Sequence, residues 1–292
     1  MRRALLPAAL AFSLLAGCRS EPMRELLQPK PSADFQVWAF TSPERKVWTR
    51  QARPVAHGFS SLGLSVGSAG EVVVIGLPHG VPPTWWEELF PALRVFGITS
   101  VDGKRWTPRT WRPEGVTSDG IIDPQWLGDE LWYFAVDGKT GDPALQPGDH
   151  HLCSTPPPKN RVSGPGLADP SPVRFKGALH LFATFHPRQV VHYAGQPLAE
   201  VRRFPGMDVP YAFVADGRLW LLTQDMRGGP PRPLLASSAD GKAWTPFVEV
   251  LSPGEFGPAT PGHAARPIKS CTSPVMGPLK AGGWILLCVE EP

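Results

Sequence analysis

The octet SADGKAWT (238–245) has a near copy upstream, SVDGKRWT (100–107), and a degraded one near the start of the chain, SPERKVWT (42–49). The shared residues are those of a tight strand-to-strand turn. An Asp carboxylate accepts hydrogen bonds from turn amides, a Gly takes a positive φ, and a Trp at the start of the next strand supplies apolar area. Three copies of one turn, far apart in one chain, predict three successive sheets of a repeating all-β architecture.

A second recurring unit interleaves with the first: an apolar strand, a Gly-containing turn, then a more strongly apolar strand. It spans 62–77, 121–137, 167–185, 207–225 and 271–290, with turns at Ser68-Ala69-Gly70, Gly128-Asp129, Lys176-Gly177, Asp216-Gly217 and Ala281-Gly282-Gly283. Second strands such as EVVVIG, LWYFAV and LWLLT suit burial between stacked sheets. Between these hairpins lies one more hairpin each time, turning at Asp102-Gly103, near Pro157, near Gly195-Gln196 and at Asp240-Gly241. Two hairpins make a four-stranded sheet, and the pairs recur every ~40–65 residues, a propeller period.

The count leaves two orphans. The fifth inner hairpin ends at Pro292, and the residues before the first inner hairpin contain an unpartnered outer hairpin, FQVWAFTSPERKVWTRQA (35–52). Joined, they complete one sheet and remove the open edges. The expectation is an all-β, five-bladed β-propeller closed by the N-terminal hairpin in the last blade, with QVWAFTS pairing WILLCVE. A β-sandwich or a six-bladed ring is the competing architecture. The S-x-D-G-x-x-W-T turns resemble the Asp-box of sialidases and related propellers, in a form shortened by one residue between Asp and the aromatic. In those families the box is a structural turn away from the active face, which implies no catalytic role for it here.

The two ends carry different information. Arg2 and Arg3 precede an apolar run too short and wrongly flanked for a spanning helix. That run closes on Leu15-Ala16-Gly17-Cys18, which resembles the lipobox of bacterial lipoproteins. The resemblance implies a signal peptide over 1–17, cleavage before Cys18 and lipid on its sulfur; an ordinary secretory signal is the alternative. Residues 18–33 are polar, carry three prolines and read as a tether, leaving 34–292 as the propeller domain. Pro (36) and Gly (30) approach a disordered composition, but 11 Trp and 14 Phe in recurring apolar runs supply surface to bury. The formal charge of +3 falls further once Arg2 and Arg3 leave, and no basic patch interleaved with aromatics remains, so nucleic acid is not an expected partner. Of the cysteines beyond Cys18, Cys271 and Cys288 flank the 281–283 turn almost symmetrically. They are expected to pair, leaving Cys153 outside the bond.

Chemistry is expected over the central channel, where the innermost strands begin. Three inner hairpins open with an acid there, Asp123, Asp169 and Asp208, each with a Pro within two residues: DPQW, DPSPV, DVPYAF. Carboxylates at one level of successive blades converge, and two at suitable separation, one protonated, serve glycoside hydrolysis. The pattern resembles five-bladed glycoside hydrolases of the arabinanase, β-xylosidase and fructosidase type. It implies Asp123 and Asp169 in the two aspartate roles, base or nucleophile and orienting acid. The third position holds Asp208 where that family has Glu, and the first blade (HGFSSLGLSV) has no acid. Each Asp has a second reading, as a local cap at a strand start before Pro.

Other groups offer less. A sialidase site needs an arginine triad and a Tyr–Glu pair, whereas the chain has only Tyr133, Tyr193 and Tyr211, two of them inside expected strands. The neighbours in DHH (149–151) point to opposite faces of a strand, and His180, His186 and His192 scatter over one blade. Trp85 and Trp86 in PTWWEELF (83–90) form either a sugar platform at the rim or a cover for an open edge. No cofactor or metal is expected. Taken with the resemblances, the expectation is a monomeric, lipid-anchored propeller of the bacterial cell envelope, at the outer membrane, holding a glycan in its central funnel. The alternatives are a glycoside hydrolase using the funnel aspartates and a scaffold for an envelope protein.

Overall fold

The computed structural model describes residues 35–67, 69–78, 95–111, 122–136, 149–155, 159–186, 188–228, 231–251 and 269–291. The expected signal (1–17) and tether (18–33), with Cys18, and also Trp85 and Trp86, lie outside the described residues. Every described residue belongs to one compact unit, and none lies in a helix.

Its strands form five antiparallel sheets. The N-terminal strands are β1 (Gln36–Ser42), β2 (Thr49–Arg50) and β3 (Ala56–His57). The first complete blade is β4 (Phe59–Val66), β5 (Val72–Pro78), β6 (Val95–Ser100) and β7 (Thr107–Trp111). The second is β8 (Ile122–Leu127), β9 (Glu130–Val136), β10 (Asp149–Thr155) and β11 (Lys159–Pro165). The third is β12 (Leu167–Phe175), β13 (Ala178–Phe185), β14 (Gln189–Ala194) and β15 (Ala199–Pro205). The fourth is β16 (Met207–Ala215), β17 (Arg218–Asp225), β18 (Arg232–Ser238) and β19 (Val248–Glu249). Each runs in sequence order, one hairpin to the next.

The fifth blade is composite. Its inner hairpin is β20 (Thr272–Pro278) and β21 (Trp284–Glu290), and β1 and β2 complete it in the order β2-β1-β21-β20. β1 pairs with β21 along its whole length, from Gln36 opposite Glu290 to Ser42 opposite Trp284. The chain is therefore the expected five-bladed propeller, closed by its N-terminal hairpin. Cys271 and Cys288 are bonded within this sheet, with Cα atoms 5.1 Å apart. Cys153 stands opposite Tyr133 on β10 and β9 of the second blade.

The core lies between blades rather than within one. Ile75 and Val95 of the first blade meet Leu131 and Tyr133 of the second. Trp132 and Leu152 meet Leu167 and Leu181 of the third, and Phe182 and Phe204 meet Ala212 and Leu234 of the fourth. The largest cluster joins the fourth, fifth and first blades around Phe40, Leu64, Phe213, Met276 and Leu287. Burial on both faces explains why the second strands read as unbroken apolar runs.

The repeated octets fasten each blade to the one before it. In both sharp copies the Ser hydroxyl donates to the Asp carboxylate and accepts from the Gly amide, Ser100 with Asp102 and Gly103, Ser238 with Asp240 and Gly241. The same Asp oxygen then accepts the next two amides, of Lys104 and Arg105 or of Lys242 and Ala243. Gly103 (φ 71°) faces Leu279 and Ile285 of the fifth blade, and Gly241 (φ 77°) faces the His180 ring of the third. In the degraded copy Arg45 takes the glycine position, also at positive φ (63°), and reaches the fourth blade instead. Its guanidinium meets Asp216 at 2.6 Å and lies between the rings of Trp220 and Trp284, 4.5 and 4.2 Å from their centroids. The box tryptophans contribute packing alone. The indole nitrogens of Trp48, Trp106 and Trp244 have no partner among the described residues, while Trp244 sets its ring edge-on to Phe182 and Phe204.

Candidate functional site in the central funnel

Each inner strand begins with the same irregularity. A two-residue bulge opens between Ser60 and Gly63, Ile122 and Gln125, Ala168 and Ser171, Asp208 and Tyr211, and Thr272 and Val275. The first bulged residue adopts a left-handed conformation in all five: Ser61 (47°), Asp123 (50°), Asp169 (48°), Val209 (45°) and Ser273 (47°). In four blades the next residue is proline: Pro124, Pro170, Pro210 and Pro274. A β-branched residue such as Val209 is rare in this region. The backbone here is set by the ring and not by side-chain preference.

This symmetry assigns the acids. Asp123 and Asp169 occupy equivalent positions on adjacent blades. Asp208 does not: the equivalent residue is Val209, and Asp208 lies one position earlier, so the expected level of three acids holds two. Its side chain behaves as a local cap, accepting from the Val209 amide at 3.1 Å, while its carbonyl accepts from the Thr223 hydroxyl. An alignment on the proline rather than on the acid would have separated the two cases from sequence.

A hydrogen-bonded relay connects the five bulges. The Ser273 amide donates to Gln224 Oε1 at 3.1 Å, and the Ser61 amide to Ser273 Oγ at 3.2 Å. The Ser61 hydroxyl donates to the Asp123 carboxylate, whose Oδ2 lies 3.4 Å from the Asp169 amide. The Thr184 hydroxyl donates to Asp169 and, through its oxygen, accepts the Val209 amide at 3.0 Å. Sequence reasoning missed Ser61, Thr184, Gln224 and Ser273 because hydroxyl and amide side chains carry no distinctive spacing.

The two carboxyl groups are interacting neighbours, with the Asp169 amide on Asp123 Oδ2 at 3.4 Å. Burial raises Asp123, opposed by hydrogen bonds from Ser61 and Asp169 and by the charge of His186. Burial raises Asp169 well above the ordinary carboxylate range, and the Asp123 charge, then the Asp208 charge, push it further. Two carboxyls in hydrogen-bond contact cannot both ionise cheaply, so they share one proton, held on Asp169. Asp123, Asp169, Ser61, Val209 and Gln125 line a small cleft, partly open to solvent, with room for about one water.

Beneath the relay, Tyr211 of the fourth blade crosses the axis. Its buried hydroxyl donates to the Leu64 carbonyl of the first blade at 2.9 Å. This bond bolts the fourth blade to the first across the fifth and forms a floor for the cup above it.

The histidines divide in a way their sequence positions conceal. His186 is exposed and its charge reaches Asp123. His180 and His192 are buried together, Nδ1 to Nε2 at 2.9 Å, and His192 stacks on Phe182 with centroids 4.2 Å apart. Asp149, His150 and His151 lie in β10, but their side chains fall outside those described.

No protein-family model matches the sequence, and no curated protein does. Solved structures do match. Xylan β-1,4-xylosidase from Bacillus halodurans C-125 aligns over 80% of this chain and 49% of its own, with a TM-score of 0.50 and 16% identity. A GH43 protein from Bacillus licheniformis gives the same coverage, TM-score and identity. The chain is a five-bladed propeller similar in fold to glycoside hydrolases. The catalytic domain of the GH62 α-L-arabinofuranosidase of Coprinopsis cinerea aligns over 89% of this chain and 98% of its own, at 11% identity and a TM-score of 0.49. This chain spans about half the length of the two Bacillus proteins. At such identities the likeness is one of fold, and the chemistry rests on the residues themselves.

Proposed function

We propose that the protein is a lipid-anchored propeller of the bacterial cell envelope that holds a glycan in the cup above Asp123 and Asp169 without hydrolysing it. The observation that carries this reading is the third position, where the resemblance calls for a general acid and the chain has Val209, with Asp208 one residue earlier capping its own strand start. Hydrolysis needs an acid and a base on either side of the glycosidic bond, and Asp123 and Asp169 stand together as one buried, interacting pair. A pair bridged by hydrogen bonds, sharing one proton and bound into a structural relay, is a donor–acceptor set for sugar hydroxyls. The neutral Asp169 donates, and Asp123 accepts. A glycan as ligand class agrees with the likeness in fold to a xylosidase. The anchor reading rests on the lipobox at Cys18, with a monomer tethered at the outer membrane.

Binding and turnover are separable by experiment. A glycan array, followed by calorimetry on the best ligands, should find binding that Asp123→Ala abolishes at a temperature where circular dichroism shows the variant still folded. Aryl arabinosides and xylosides should not be cleaved above background. Cleavage that Asp123→Asn removes would make the protein a hydrolase and overturn the reading. For the anchor, Cys18→Ser should leave the membrane fraction or stay unprocessed.

A further inference from the structure

We infer that the funnel face is the side of the propeller turned to the membrane, docking on its lipid surface; the inference rests on the lipid anchor at Cys18. The point where the chain enters the fold carries it. Gln36, the first residue of β1, stands opposite Glu290, and Val37 opposite Val289, which also faces Thr272 beside the Ser273 bulge. The tether therefore joins the propeller at the level of the funnel relay. The box turns lie at the other end of the strands, where β1 runs into 42–49.

The lengths favour one face toward a bilayer. Residues 19–34 separate Cys18 from the first described residue. A flexible chain of that length has a root-mean-square reach of about 20–24 Å and a contour of about 53–58 Å. The seven residues of β1 span about 23 Å of blade height. With the funnel toward the membrane, the tether needs only the gap between rim and bilayer. With the box turns toward it, the chain must first descend the whole blade, a distance equal to its mean reach.

The rim has the matching charge. Asp225, 4% exposed, is bracketed by the guanidiniums of Arg227 and Arg232, at 2.8 and 3.0 Å. The acid is buried and Arg227 faces outward, with 61% of its side chain exposed, while Arg232 also pairs with Glu249 at 3.2 Å. Arg188 stands beside them, exposed, donating to the Met226 carbonyl at 3.1 Å. Both Arg188 and Arg227 flank Gly206, whose amide bonds the Arg188 carbonyl and whose missing side chain makes room for the Arg227 stem. Two exposed acids stand nearby, Glu249 on Arg232 and Glu291, which accepts from the Thr272 hydroxyl. Guanidiniums presented this way suit anionic lipid phosphates.

The test places a photo-crosslinking residue in full-length, lipidated protein, one position at a time, on the rim (His186 or Arg227) or at the box turns (Lys46 or Lys104). The protein is reconstituted in vesicles of phosphatidylethanolamine and phosphatidylglycerol, and lipid adducts are counted by mass spectrometry. Rim positions should capture lipid at least fivefold more often than box positions, and Arg188→Glu with Arg227→Glu should reduce capture at His186. Equal capture, or more at Lys46 and Lys104, overturns the orientation while leaving the anchor intact. Wild-type protein that does not remain with the vesicles, with Cys18 unmodified, defeats the anchor itself and the orientation with it.

Discussion

The indole N–H of Trp38 donates to a carboxylate oxygen of Glu290 at 3.3 Å across 252 positions of sequence. The other oxygen of Glu290 accepts the Lys269 amide at 2.9 Å. The seam of the ring is thus tied by side chains as well as by the β1–β21 ladder. Removing residues 34–52 should expose the β21 edge and the apolar faces under Trp38 and Trp48, and the product should aggregate. Removing only the residues before Ala33 should leave the thermal transition unchanged. Soluble yield and calorimetry compare the two. A soluble, cooperatively folding 34–52 deletion would refute the dependence on closure.

The disulfide across the same blade closes a loop with a sequence separation of 17, for which chain entropy gives about 3 kcal/mol. Cys271→Ser with Cys288→Ser should lower stability by that order in denaturant titration, with the fold retained. Both residues are fully buried, so reductant should act only after unfolding.

The box turns predict a glycine effect and an acid effect. Gly241→Ala would meet His180 Cε1 at 2.8 Å from a backbone at φ 77°, and should cost more than ~1 kcal/mol. Asp240 is held down to about 2 by the amides of Lys242 and Ala243 and by Ser238. A carboxylate depressed in the fold stabilises above its unfolded value and loses that contribution as pH falls through about 4 toward 2. Asp240→Ala should flatten the acid limb in that window while also lowering stability at neutral pH.

Burial and the neighbouring His180 push His192 down to about 3. Its unfolded value is near 6.5, so the fold keeps it neutral while the unfolded chain protonates. Stability should therefore be complete above about pH 6.5 and decline as pH falls toward 3, by about 2 kcal/mol between pH 7 and 5. His192→Phe, matching the stack on Phe182, should remove that slope in urea titrations at the two pH values. An unchanged slope would assign it elsewhere.

Asp169 runs the other way. With its proton held in the fold and released in the unfolded chain, it lowers stability as pH rises from about 4 to its raised folded value. Asp169→Asn imitates the protonated acid and should abolish that loss, giving equal or higher stability at pH 7 with the Thr184 contact kept. Asp123→Asn should instead weaken the fold, because Asp123 is the acceptor for Ser61 and the Asp169 amide. Paired melts of the two variants at pH 5 and 7 check the difference.

Several features needed only local chemistry and counting, so the sequence by itself determined them. The Ser-x-Asp-Gly turns, the inner hairpins, the five-fold count and the union of β1 with β21 follow from turn residues, apolar periodicity and the requirement to leave no open edge. Tertiary structure alone decided what the blades do to one another. Asp123 and Asp169 look like Asp208 in sequence, each an acid near a proline. The register of the bulges makes the first two equivalent and displaces the third, a difference that the spacing from acid to proline alone foreshadows, because one residue along a strand changes which side of the pleat a side chain takes. The pairing of His180 with His192, the reach of Arg45 to Asp216 and the Tyr211 bolt join residues through the ring axis or across blade junctions. Those contacts depend on the closed geometry of five sheets, and no spacing along the chain encodes it.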